Sequence, residues 1–158
     1  MMAALVTVLA AGANGADPKP VKGYRPGPPD DRVAPGRFVI DPPTLENLGF
    51  RWYISGDSNR NASVAVTYRR KGQATWREAL PMLRVHHEIA NQDYSPFRCG
   101  NLFAGSVMFL QRGTEYEVRF EMRDPDGGAA PVKTVTVATR REPQAPADPR
   151  GGDRVWRA

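Results

Sequence analysis

Cysteine is almost absent from this chain: Cys99 stands alone in 158 residues, which excludes an internal disulfide framework and any cysteine-based zinc cluster. The fold must rest on a packed apolar core. Histidine is equally scarce, with only His86 and His87, so sites built from several imidazoles are excluded. No apolar run reaches the roughly 20 residues of a bilayer-crossing helix. The phosphate loop, the dinucleotide fingerprint, the Gly-x-Ser-x-Gly elbow and the His-Glu-x-x-His helix are all missing, and so is any internal repeat. What is plentiful is the turn-forming pair, 15 Gly and 15 Pro, which favours short elements over long helices.

A net charge of +5 invites an anionic partner such as nucleic acid. Its distribution argues against one. Residues 37–141 carry 15 basic and 11 acidic side chains, and the one basic cluster is Arg69, Arg70, Lys71 before Gly72, the pattern of a solvated hairpin tip. Neither a nucleic-acid partner nor a membrane span is expected.

The apolar run from Ala3 to Ala13 is the right length for the hydrophobic region of a signal peptide, and Ala11-Gly12-Ala13 offers small residues for cleavage. Residues 1–16 therefore read as a signal peptide, and the mature protein as extracytoplasmic or secreted. Residues 17–36 hold six prolines, at 18, 20, 26, 28, 29 and 35, and read as a linker with too little apolar surface to offset its ordering entropy. Residues 142–158 begin the same way, with prolines at 143, 146 and 149. They end on Arg154-Val155-Trp156, which resembles the first strand of a further domain. Nine of the prolines fall outside residues 37–141, which marks that interval as the folded unit.

Inside it the apolar period is two. Tyr116, Val118, Phe120 and Met122 alternate with charged residues, and so do Leu48, Phe50, Trp52 and Ile54 with their neighbours, as strands with one buried face require. Val64, Val66 and Tyr68 continue the pattern. Further strands are expected at Phe38–Ile40, around Trp76 to Ala79, near Val107 to Leu110, and at Val135 and Val137. About seven short strands, each with one apolar face, hide those faces by packing as two sheets. The expected fold is an all-β, two-sheet antiparallel sandwich.

Leu110 to Phe120, LQRGTEYEVRF, resembles the signature of fibronectin type III domains, in which Leu, Gly-Thr and Tyr lead into the sixth strand. The resemblance implies that Tyr116 forms a tyrosine corner, its hydroxyl bonded to backbone just upstream. Trp52 is similar to the family's buried tryptophan, and VTYRRKGQATWREA, with Tyr68 and Trp76, to its third-strand hairpin. Leu110, Trp52, Tyr68 and Tyr116 are thus expected to be structural, in a fibronectin type III/immunoglobulin-like sandwich over residues 37–141.

The chain departs from that family between Met82 and Gly105, where residues 83–104 read as an insertion longer than a compact loop needs. It holds His86, His87, Glu88, Asp93 and Cys99. Adjacent histidines on an extended chain point to opposite faces, making them poor partners for one metal. Cys99 lacks a recognisable orienting group or oxyanion turn. Asp57, Asn59 and Asn61 have the spacing that opens a calcium loop, but Ala62 and Tyr68 stand where Gly and Glu are needed. Asn61-Ala62-Ser63 matches a glycosylation sequon. No catalytic, cofactor or metal residues are assigned.

The function expected is that of a non-catalytic exported module that spaces or supports a neighbouring domain. Resemblance to modules preceding bacterial right-handed parallel β-helix proteins of the polysaccharide-lyase type suggests a carbohydrate-active, downstream neighbour. The alternative is an independent extracellular binding module for glycan or protein. It would use exposed aromatics, Tyr53, Tyr94 and Phe97, with His86 and His87 beside them.

Overall fold

The computed structural model describes residues 28–90 and 97–144, with backbone alone at Ile89, Ala90 and Phe97. The proposed signal peptide, Tyr94 and the tail from residue 145 lie outside the described residues.

Among the described residues ten strands follow in order: β1 (Ala34–Ile40), β2 (Leu48–Ser55), β3 (Ser63–Arg70), β4 (Arg77–Glu78), β5 (Leu83–His86), β6 (Ile89–Ala90), β7 (Phe97–Arg98), β8 (Asn101–Val107), β9 (Glu115–Arg123) and β10 (Val132–Ala138). One sheet runs β1-β2-β8-β5 and the other β10-β9-β3-β4, with β6 and β7 forming a separate ribbon. All pairings are antiparallel. In the usual lettering of these sandwiches the sheets are A-B-E-D and G-F-C-C′. The chain is a fibronectin type III/immunoglobulin-like β-sandwich.

The period-two residues build the core. Leu48, Phe50, Trp52 and Ile54 from β2 face Val64 and Val66 from β3 and Tyr116, Val118, Phe120 and Met122 from β9, all buried. The rings of Phe50 and Phe120 meet edge to face at 4.9 Å, and Phe38 lies 4.9 Å from Phe120, a geometry that aromatic quadrupoles favour.

Three expectations are corrected. The segment 83–104 is not simply an inserted loop: its ends are β5 and most of β8, and together they complete a four-stranded sheet. The strand expected near Val107 to Leu110 instead ends at Val107, whose partner is Leu48, because Phe109 takes a φ of 58° that no extended strand tolerates. Leu110 is still buried, held in the following loop by its N–H on the Glu46 carbonyl at 2.9 Å. The folded chain also reaches back before residue 37, since β1 starts at Ala34 and Val33 is buried with its N–H on the Asp124 carboxylate at 2.6 Å.

Candidate functional site

One pole of the sandwich is assembled from residues 28–33, the β2–β3 loop and the end of β5 beside the start of β8. The β2–β3 loop turns through three positive φ angles, at Gly56, Asp57 and Arg60. A side chain at Gly56 would overlap the Arg32 carbonyl oxygen, so glycine lets the N-terminal segment lie across the loop. Asp30 and Ser58 fasten it with reciprocal bonds of 3.0 Å.

Asp57, a possible calcium ligand by spacing, is instead fully buried. One carboxylate oxygen accepts the Ala62 N–H at 3.0 Å and the other pairs with Nε of Arg84. Arg84 occupies the inward face of β5 because its register partner is the core residue Phe103, and its guanidinium lies 5.3 Å from that ring's centre. Sequence reading missed Arg84 altogether. Alternation alone points the wrong way: Leu83 and Val85 read as the inward pair, yet Leu83 is exposed and Arg84 takes the face of Phe103.

His86 and His87 are brought together, contrary to the expectation for an extended chain. His87 takes a φ of 58°, which breaks the strand's alternation, and the two rings stand 5.0 Å apart. Both line a cleft of about 600 Å³ with Pro28, Asp30, Ser58 and Asn101. Burial, then the charges of Arg60 and Arg84, lower the pKa of His86 below its ordinary 6.5, which favours the neutral ring. Cys99 is not among the residues lining the cleft. Its carbonyl lies 3.3 Å from Nδ1 of His87 and its N–H donates to the Glu88 carbonyl at 2.8 Å. Among the described residues no three His, Cys, Asp or Glu side chains are grouped to hold a metal ion. Among the described residues the cleft offers hydrogen-bonding groups from Asp30, Ser58, His86, His87 and Asn101.

Of the three aromatic candidates, Tyr53 is the one whose side chain falls among the described residues. Tyr53 lies on the outer face of its sheet, half-buried, with Arg37 4.7 Å above its ring and Gly100 packed against its edge. Tyr94 lies outside the described residues, and Phe97 is described by its backbone only. Asn61 is exposed, with its amide donating to Asp126 at 2.6 Å.

At the opposite pole the Tyr116 hydroxyl accepts the Gln111 N–H at 3.0 Å, five residues upstream, the geometry of a tyrosine corner. Thr139, buried just past the end of β10, ties the β8–β9 loop to it, donating to the Gln111 carbonyl at 2.6 Å and accepting the Thr114 N–H at 3.0 Å. Trp52 is buried, and Tyr68 packs partly buried against the core.

No family model matches the chain, and no curated protein matches it. Among solved structures it is similar to the fibronectin type III domain of human fibronectin type III domain containing protein 3. That likeness has 15% identity, a TM-score of 0.44, and coverage of 82% of this chain and 100% of that one. A structure titled as a myokine has the same identity and TM-score over 72% and 99% of the two chains. The sensor domain of an anti-sigma factor of Pseudobacteroides cellulosolvens is 10% identical, with a TM-score of 0.41 over 74% and 96%.

Proposed function

We propose that the chain is a non-catalytic, exported accessory module that spaces or supports a neighbouring, carbohydrate-active domain of a longer polypeptide. The observation that carries this reading is the position of the two chain junctions. β1 starts opposite Ser55, at the far end of β2, whereas β10 ends opposite Glu115, at the near end of β9. The polypeptide thus enters at one pole and leaves at the other, a strand length apart. Both junctions are tied down. Asp30 and Ser58 hold the first, and at the second Arg140 donates to the Thr44 carbonyl at 2.8 Å while its own carbonyl accepts the Gly113 N–H at 3.0 Å. A module anchored at both poles transmits orientation between the segments joined to its two ends.

The test is the mass and N-terminal sequence of the protein purified from its native source. Export and attachment predict a terminus at Asn14 or Asp17 and a mass well above 17.4 kDa. A mature protein of that mass retaining Met1 overturns the reading.

A further inference from the structure

The β3–β4 hairpin places two arginines where the strand pattern calls for apolar side chains. Register sets Tyr68 of β3 between Val118 of β9 and Arg77 of β4, and sets Arg70 opposite Tyr116. Cross-strand partners share a face, so Arg70 and Arg77 belong to the same inward face as Tyr68 and the buried Tyr116 and Val118. They lie at the pole where the other sheet no longer covers it. Arg69 points outward, bonded to Glu117 at 2.6 Å and stacked 4.5 Å from the centre of Trp76. Among the described residues Arg70 and Arg77 have no ion-pair partner.

The loop after β8 closes this pole. Phe109 stands 89% exposed with a φ of 58°, a strained backbone for a bulky residue, while Leu110 beside it is buried. Between loop and hairpin lies a groove of about 310 Å³, lined by Tyr68, Arg70, Arg77, Phe109 and Gln111 among others. Its walls are mostly polar, and their charged members are arginines.

We propose that this groove binds a carboxylate-bearing saccharide, taking one uronate unit at a time. Guanidinium forks match a carboxylate with two parallel N–H donors. The exposed Phe109 ring offers a negative π face to the C–H side of a sugar ring. Gln111 and Thr75 supply neutral partners for hydroxyls, and the volume is that of a small-ligand pocket. A nucleic acid is the poorer fit. It needs a basic track along its backbone, whereas the arginines here are gathered around one small groove at the β3–β4 hairpin. The site is independent of any neighbouring domain.

The experiment is a calorimetric titration of the whole chain with trigalacturonate, with neutral galactotriose, inorganic phosphate and oligouridylate as comparisons. Saturable binding of trigalacturonate alone is expected, weakened about tenfold in Arg70→Gln and in Arg77→Gln, the loss of one charge-assisted pairing. Both arginines are at least partly solvent-exposed, so unchanged melting of these variants separates lost binding from lost fold. Phe109→Gly is expected to weaken binding while raising the melting temperature, because glycine relieves the left-handed backbone. Absence of saturation, affinity unaltered in both arginine variants, or equal or tighter binding of phosphate or oligouridylate would each overturn the proposal.

Discussion

At the scale of single residues, the strongest dependence is the buried pair of Asp57 and Arg84. Removing one partner leaves the other charge buried without compensation, so Asp57→Ala is expected to cost about 3–5 kcal/mol in urea unfolding. The double variant Asp57→Ala, Arg84→Met is expected to recover much of that loss, because no uncompensated charge remains. An Asp57→Ala transition equal to wild type would show the pair to be dispensable. In the core, Trp52→Ala should cost about 3–5 kcal/mol through the cavity it leaves. Tyr116→Phe, which deletes only the acceptor of the Gln111 N–H, should cost about 1 kcal/mol. A Trp52→Ala melting curve superimposable on wild type would contradict the two-sheet core.

At the scale of elements, Gly56 decides whether the N-terminal segment can dock. Any side chain there meets the Arg32 carbonyl, and the φ of 74° is itself unfavourable to L residues. Gly56→Ala is therefore expected to lift residues 28–33 away from the loop and expose the Arg32–Val33 bond. Limited trypsin digestion reads this directly: rapid cleavage after Arg32 in the variant and protection in the wild type. Equal rates would mean that the segment is not held by the loop. The same elements show what the sequence could reveal. β2 and β9 were legible because alternation there is uninterrupted, β3 because it holds from Val64 to Tyr68, and Tyr116 because its corner is a local pattern. β5 and the start of β8 were not, since Arg84 takes an inward position and His87 reverses the chain with a left-handed φ. The contact that makes this pole, between Asp57 and Arg84, joins residues 27 positions apart, and no local period encodes it. Arg70 was visible in the basic cluster and continues the inward set of Val64, Val66 and Tyr68, but the groove was not, because bringing Arg70 and Arg77 together depends on the register of β3 with β9 and β4.

For the molecule as a whole, the two poles are expected to respond differently to pH. His86 is held below its ordinary 6.5, first by burial and then by Arg60, Arg84 and His87, with Glu88 pulling weakly the other way. A base with a depressed folded pKa binds fewer protons folded than unfolded, so stability rises with pH across the interval between the two values. The contribution is fully present above 6.5 and is lost as pH falls through the folded value. On the same pole, the amides of Asn59 and Asn61 hold the Asp126 carboxyl below its ordinary 3.8. Its contribution is present above that value and disappears only in stronger acid. Thermal melting should therefore be flat from pH 8 to 7, decline once pH drops below 6.5, and fall again in the carboxylate range. His86→Asn keeps the backbone N–H that Glu88 accepts at 2.6 Å and removes the titrating ring, so it should flatten the upper step and leave the lower one. Amide exchange separates the poles: the early step should open residues around Asp57 and Asn101 while the Tyr116 corner stays protected. An upper step that survives in His86→Asn, or a melting temperature that rises as pH falls through 6.5, would show that the imidazole is not the group responsible.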